Sequence, residues 1–168
     1  MDAFTQYSCD KLAQYAVRIA VCLDQLSDEQ IWARGTENEN AIGNLVLHLC
    51  GNVRQWVGFG VAGQADIRDR DSEFQARAGA ARDELKARLR QAVDETSAVI
   101  AALSPDRLSA RTNVQGYNVT VLEVVYHVVE HFAYHAGQII FATKLMTGTD
   151  MGFYRHLANK AAHSENIP

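Results

Sequence analysis

Proline is nearly absent from this sequence, which has only Pro105 and Pro168 among its 168 residues. Because proline removes a backbone donor and clashes with the preceding turn, its absence allows helices to continue for many residues. Strands are shorter, about 3 to 10 residues, and are separated by turn signals. Long segments without such signals therefore predict an all-α fold. Four segments carry helical patterns, residues 4–26, 41–62, 72–103 and 118–146.

The patterns that support these helices differ. The first, second and fourth have apolar residues at intervals of three and four, as on one buried helix face. The second is expected to be capped by an asparagine just before Ala41. The third is rich in strong helix formers and opens on a capping-box pattern at residues 72–75. Short extra helical turns are expected from Ser27 to Trp32, after Ser104, and in the tail at residues 153–162.

The fourth helix needs an argument, because residues 119–129 are rich in valine, which favours strands. Apolar residues nevertheless recur at intervals of three and four over nearly thirty residues without a turn signal, and these are Val121, Val125, Val128, Phe132, Ala136 and Ile139. This periodicity predicts a helix. The connectors at residues 33–40, 63–71 and 109–118 are predicted loops, and the whole is expected to be a four-helix bundle.

Length and charge limit the class of protein. A chain of 168 residues fits one domain, residues 1–168. Sixteen basic residues against 20 acidic ones give a formal charge of -4, which disfavours nucleic acid as a partner. No apolar run reaches the roughly 20 residues that cross a membrane, and the first residues lack a signal-peptide pattern. The expected protein is soluble and cytoplasmic, with no membrane partner.

The three cysteines, Cys9, Cys22 and Cys50, have neither a disulfide nor a metal-ligand spacing. We interpret them as packing residues, although a thiol nucleophile remains the alternative.

Three histidines, His127, His131 and His135, are each four residues apart and therefore share one face of the fourth helix. An i, i+4 pair is a spacing by which one helix offers two imidazoles to one metal ion. His48 lies at the edge of the apolar face of the second helix and offers a third imidazole. Three neutral imidazoles with open positions are typical of a catalytic metal centre. Alternatively, the stripe is a solvated face or a set of hydrogen-bonded packing residues, and the spacing does not decide which pair binds.

Other notable residues have simpler interpretations. His156 and His163 are expected on the surface, and four aromatic residues are expected in the core, Trp32, Trp56, Phe59 and Phe132. The charged run Arg68-Asp69-Arg70-Asp71 is interpreted as a salt-bridged connector and helix cap, with anion binding by Arg68 or Arg70 as the alternative.

The segment HFAYHAGQI, residues 131–139, resembles the fourth-helix signature of the DinB-like family, and Leu47-His48-Leu49 resembles its second-helix histidine. Residues 44–74, with Gly51-Asn52, Trp56 and RDRDSEF, are similar to one uncharacterised branch of that superfamily. The resemblance implies a four-helix bundle, often a homodimer, in which His48, His131 and His135 bind a divalent metal. His127 then becomes a neighbour of the site. Ala136 stands where many relatives carry arginine.

The resemblance also implies a reaction class. Family members with assigned activities transfer or isomerise groups on low-molecular-weight thiols such as bacillithiol and mycothiol. The expected protein is thus a metal-dependent, thiol-dependent transferase with a small-molecule substrate, and Zn, Ni or Fe suit imidazole ligands alike. Four residues are candidates for proton transfer or for supporting the ligands, Tyr134, Glu130, Gln138 and Asn52. The alternatives are a metal-dependent hydrolase without a thiol cofactor, and a non-catalytic metal-binding stress protein or homodimeric interaction module.

Overall fold

Seven helices and one small hairpin make up the described part of the chain, residues 2–157 of a computed structural model. The helices are α1 (Ala3–Asp24), α2 (Asp28–Trp32), α3 (Ile42–Val53), α4 (Arg70–Gln75), α5 (Arg82–Ala101), α6 (Pro105–Leu108) and α7 (Val121–Thr147). A π-helical segment, Arg54–Phe59, continues α3, and a short 3-10 turn lies at Arg155–Leu157. The strands are β1 (Arg111–Val114) and β2 (Tyr117–Thr120). The predicted all-α bundle is thus confirmed, with a two-stranded addition.

The core lies where α1, α3, α5 and α7 pack against one another. Its largest fully buried side chains include Phe132, Leu12, Leu49 and Leu85, one from each of these helices. Phe132 and Trp56 are buried as predicted, whereas Phe59 is 37% exposed. No helix within residues 2–157 is long and apolar enough to span a bilayer.

The cysteines also follow the expectation of packing residues. All three are free thiols, with Cys22 and Cys50 buried and Cys9 half-buried. Burial raises the pKa of Cys50 to about 12, so its thiol is protonated at neutral pH.

The first, second and fourth predicted helices correspond to α1, to α3 with its π segment, and to α7. The Ser27 capping box and the turn after Ser104 are also present. The second helix is capped differently from the prediction. Its N-cap is Ala41, whose N–H donates to the Asn44 side chain at 3.0 Å.

The third predicted helix, residues 72–103, is wrong because the chain leaves the helix between α4 and α5. Gly79 has a φ of +131°, which a helix does not accommodate. Side chains also take the carbonyls that would continue the helix. Arg34 donates to the Phe74 oxygen at 2.7 Å, and Asn44 donates to the Ala76 oxygen at 2.9 Å. The start differs as well, since the N-cap of α4 is Asp69.

Residues 109–118, predicted as a loop, contain most of an antiparallel hairpin in which Arg111 pairs with Thr120. Gln115 and Gly116 both have positive φ, the requirement of a type I′ hairpin turn. The fourth helix consequently begins at Val121, where Thr120 and Glu123 form a reciprocal capping box. In the tail, the described residues of the predicted 153–162 helix form only the 3-10 turn, with His156 exposed. The rest of that prediction, and His163, lie outside the described residues.

Candidate metal centre

Three histidines from two helices converge at the edge of the core. His48 comes from α3, and His131 and His135 come from successive turns of α7. One ring nitrogen from each lies within 4.8 Å of the others, and the Nε2 atoms of His48 and His131 are 2.9 Å apart. His48 and His135 are buried, while His131 is half-buried. The cluster is compatible with a metal site.

Two of the rings have a hydrogen-bond partner at Nδ1, on the side away from the cluster. His48 Nδ1 lies 3.0 Å from Glu73 Oε2, and His135 Nδ1 lies 2.7 Å from Gln138 Oε1. Because the Gln138 oxygen is an acceptor, His135 Nδ1 carries the hydrogen and its Nε2 keeps a lone pair. His48 Nδ1 also lies 3.0 Å from a guanidinium nitrogen of Arg68, so it faces an acceptor and a donor at once. A metal bonded to imidazole at about 2.0–2.1 Å places neighbouring ligand nitrogens about 2.9–3.4 Å apart. The spacing between His48 and His131 therefore suits one shared ion.

The surroundings favour neutral imidazoles. Burial lowers the pKa of His131 to about 3, and the nearby rings of His135 and His48 add to this effect. Burial also lowers the pKa of His135, although its hydrogen bond with Gln138 opposes the shift. Neutral imidazole is the form that binds metals, so the site presents its ligands ready at neutral pH.

A buried ion pair supports His48 from behind. Arg68 Nε donates to Glu73 Oε1 at 2.8 Å, and a second guanidinium nitrogen donates to Glu73 Oε2 at 2.8 Å. Only 4% of the Arg68 side chain and 9% of the Glu73 side chain are exposed. Burial alone would raise the pKa of Glu73, but the hydrogen bonds from Arg68 and His48 outweigh it and hold the pKa below its usual value. The carboxylate is therefore charged and anchors His48.

Gly51 provides the space for this ion pair. A Cβ at that position would lie 1.8 Å from Glu73 Oε1 and 3.0 Å from Arg68 Nε. No side chain fits there unless the pair moves, so a bare backbone on α3 is part of the arrangement.

The charged run at residues 68–71 is a salt-bridged connector and a helix cap, as predicted, but its ion pair is buried. Arg68 is buried on Glu73, while Asp69 caps α4 by accepting from the Ser72 N–H at 3.1 Å. Arg70 is exposed, with its guanidinium 4.8 Å from the centre of the Phe74 ring.

Sequence reasoning missed the roles of Arg68 and Glu73. Neither residue has a spacing that relates it to His48, which lies 20 and 25 positions away. The only available signal was the RDRDSEF segment itself, which was noted for its similarity to one branch of a superfamily.

His127 lies beside the cluster and not within it. Its ring centre is 3.9 Å from that of Trp56 and 5.4 Å from that of His131. Its Nε2 is 3.5 Å from the side-chain nitrogen of Asn52. Burial lowers the pKa of His127, and Glu130 partly opposes this effect. The position matches the expectation of a neighbouring residue.

The four candidate supporting residues take different positions. Gln138 contacts His135 directly, and Asn52 is buried beside His127 with its Oδ1 lacking a hydrogen-bond partner among residues 2–157. Tyr134 is 65% exposed, with its ring 5.2 Å from that of His135. Glu130 is exposed on the same side of α7.

Comparison with known proteins agrees with the fold. A family described as "Protein of unknown function (DUF1572)" matches residues 2–157. A conserved protein from Enterococcus faecalis has a TM-score of 0.76 at 16% identity, covering 89% of this chain and 99% of its own. A DinB-like protein from Bacillus subtilis has a TM-score of 0.67 at 17% identity, covering 88% of this chain and 97% of its own. No curated protein matches the sequence. The fold is DinB-like, as the family resemblance implied.

Proposed function

The chain belongs to the DUF1572 family, and we propose that it is a divalent-metal-dependent enzyme whose ion is bound by His48, His131 and His135. The observation that carries this proposal is the approach of the His48 and His131 Nε2 atoms to 2.9 Å. Two nitrogen lone pairs repel each other at this distance, so the contact needs either a proton on one of the two nitrogens or a cation bound by both. A metal would replace that proton, as expected where binding releases protons.

The ligand set favours catalysis over a purely structural role. Structural zinc sites usually have four protein ligands, whereas three leave a position open to water or substrate. Within residues 2–157, only these three side chains form such a group. We therefore propose a small-molecule substrate that reaches the open position.

We propose thiol-dependent group transfer as the reaction class, on the basis of the resemblance to DinB-like enzymes. When bound, the metal would lower the pKa of a coordinating thiol and present it as a thiolate. The chain's own residues would then orient the reactants. Glu73 and Gln138 hold two imidazoles in place, and the unpartnered Asn52 oxygen can accept a hydrogen bond from a bound molecule. Tyr134, whose ring centre is 5.2 Å from that of His135, is close enough to the cluster to exchange a proton with a bound molecule.

We also propose that two copies of the chain associate through the C-terminal half of α7. Three large apolar side chains there share one exposed face, and their exposed fractions are 65% for Tyr134, 69% for Phe141 and 77% for Leu145. Their spacing of seven and four residues makes a continuous stripe, and such exposed apolar patches often mark interfaces. A change of Phe141 to Lys should shift the sedimentation coefficient from dimer to monomer. A parent that sediments as a monomer at high concentration would contradict this proposal. The cytoplasmic location likewise remains a prediction.

The metal proposal is tested by measuring the metal content of tag-free protein by plasma mass spectrometry. We expect about one equivalent in the parent and little in His48→Ala and His131→Ala, because either change leaves only two of the three ligands. His127→Ala is the matched control on α7 and should keep its metal, since that ring stacks on Trp56. Full metal content in His48→Ala would rule out the site.

Activity then separates the reaction classes. The loaded protein is assayed with thiols and electrophiles, with and without chelator. Turnover that needs both metal and thiol supports the transferase. Turnover without added thiol would indicate a hydrolase that uses metal-bound hydroxide. If chelation lowers the melting temperature and the loaded protein turns over none of the substrates, the protein is a non-catalytic metal-binding protein.

A further inference from the structure

A cavity lies beside the histidine cluster, between α7, the π segment and the hairpin. Its volume is about 500 Å³, within the range of small-molecule sites. His127 forms part of its wall, and the ring of His131 is the next along α7, with the two ring centres 5.4 Å apart. A molecule in this cavity would therefore lie next to the proposed metal centre.

The walls of this cavity are aromatic on three sides. Trp56 comes from the π segment, Tyr117 from β2 and Tyr126 from α7. The rings of Trp56 and Tyr117 are nearly parallel, at 25°, with centres 6.3 Å apart. Tyr117 and Tyr126 are 61% and 59% exposed, so their surfaces are accessible to a ligand. Trp56 is only 6% exposed and borders the cavity behind them, with the His127 ring against it.

The hairpin is held in place as one wall. At its turn, the Gln115 amide donates to Gln55 of the π segment at 2.6 Å. On β1, the Thr112 hydroxyl donates to the Gly60 carbonyl at 2.5 Å. These contacts hold the hairpin, which was predicted as a loop, against the segment that contains Trp56.

The charge of the cavity is negative. Glu123 and Glu130 line it, and no lysine or arginine among residues 2–157 does. The Glu123 carboxylate already accepts hydrogen bonds from the Thr120 N–H at 2.6 Å and from the Thr120 hydroxyl at 2.8 Å. Glu130 has neither an ion pair nor a hydrogen bond within the described residues, so its charge is free to attract a ligand.

From this combination of rings and carboxylates we infer that the cavity binds a small organic cation, such as a quaternary or aromatic ammonium compound. Aromatic faces attract cations through their quadrupoles, and recognition of quaternary ammonium groups by several rings is a common use of this interaction. The carboxylate of Glu130 adds selectivity against anions. The inference rests on the proposed function only in treating the cation as a substrate, since the cavity itself needs no metal.

The test is a titration of benzyltrimethylammonium into isotopically labelled protein, followed by NMR through the Trp56 indole N–H signal. Benzyl alcohol and benzoate serve as neutral and anionic probes of similar size. We expect saturable binding of the cation, about tenfold weaker binding of the alcohol, and weaker binding still of benzoate. Equal affinity for the alcohol or for benzoate, or no saturable shift with the cation, would overturn the inference.

Two exposed residues allow variants that should fold. Tyr126→Ala and Glu130→Gln should each weaken cation binding about three- to tenfold, because one ring or one charge is lost. The matched controls are Tyr7→Ala and Asp94→Asn, which change an exposed ring on α1 and an exposed carboxylate on α5. Equal weakening in the controls would contradict the assignment.

Two further measurements show whether cation binding depends on the metal or on association of two copies. Titration of both chelated and metal-loaded protein shows whether the cation binds without metal, so a failed metal site does not decide the result. Sedimentation of Tyr126→Ala shows whether this ring belongs instead to an interface between two copies. A dimer in the parent that becomes a monomer in Tyr126→Ala would overturn the inference.

Discussion

The change of Glu73 to Gln tests whether the buried ion pair holds the candidate metal site in place. The carboxylate accepts hydrogen bonds from two nitrogens of Arg68 at 2.8 Å and lies 3.0 Å from His48 Nδ1. Glutamine has nearly the same shape, but it offers one acceptor oxygen where glutamate offers two. Because each carboxylate oxygen accepts from Arg68, the amide nitrogen must face an Arg68 donor in either orientation.

The expected cost follows from burial. With 4% of the Arg68 side chain exposed, loss of its partner leaves a buried, uncompensated charge. Breaking such a pair typically lowers the free energy of unfolding by about 3–5 kcal/mol. For a chain of this length, that corresponds to a fall in melting temperature on the order of 10 °C. His48 also loses its carboxylate partner, and loss of such an outer partner typically weakens metal binding about 10- to 100-fold.

The matched control is Glu95→Gln, the same change in an exposed pair. Glu95 Oε2 lies 3.3 Å from Arg54 Nε, and the side chains of Glu95 and Arg54 are 49% and 45% exposed. Such surface pairs contribute about 0–1 kcal/mol, so this variant should match the parent. Unfolding is followed in chelator, and metal affinity by calorimetry. Glu73→Gln with parental affinity and no more destabilisation than the control would refute the reasoning.

Three further outcomes are expected. Gly51→Ala should destabilise the protein and weaken metal binding, because its Cβ would lie 1.8 Å from Glu73 Oε1. In the control Gly137→Ala on α7, the new Cβ meets nothing within 4 Å, so this variant should stabilise the protein by about 0.5–1 kcal/mol. Thermal unfolding in chelator compares the two variants. Metal-free protein should lose stability as the pH falls from 6.5 towards about 3, because the unfolded chain binds a proton at His131 before the folded chain does, so an unchanged urea midpoint between pH 7 and pH 5 would contradict this. A thiol reagent should label Cys50 only after unfolding, since burial raises its pKa to about 12, and rapid labelling of the native protein would revive the thiol nucleophile.

Much of the fold could be predicted because local pattern and tertiary packing agree in α1, α3 and α7. Phe132 illustrates this agreement, since its place in the apolar stripe of α7 is also its place at the centre of the core. The helical spacing of His131 and His135 likewise carried over directly into their positions at the site. Only the approach of His48 required knowledge beyond one helix, and the family resemblance supplied it.

The failures have two physical origins, contacts between distant segments at residues 72–103 and a local turn at residues 109–118. Composition favoured one helix across residues 72–103, but Arg34 and Asn44 take the carbonyls that would continue it. The valines of residues 119–129 gave no reason to begin the helix at Val121 instead of Asn118. The hairpin before it depends on the pair Gln115-Gly116, which has positive φ. Propensity describes a segment in isolation, whereas the break between α4 and α5 depends on side chains 30 or more residues away in the sequence.

The break between α4 and α5 is also what allows the candidate site to form. α4 packs against α3, and this packing brings Glu73 to His48. If α4 continued into α5 without a bend, its direction would be set by the packing of α5 in the bundle, and Glu73 could no longer follow α3. Asn44 donates to the Glu73 carbonyl at 2.8 Å and to the Ala76 carbonyl at 2.9 Å, so one side chain both ends the helix and fixes the position of the carboxylate. The wrong prediction for the third helix and the missed role of Glu73 therefore share one cause, which is a buried asparagine four residues before His48.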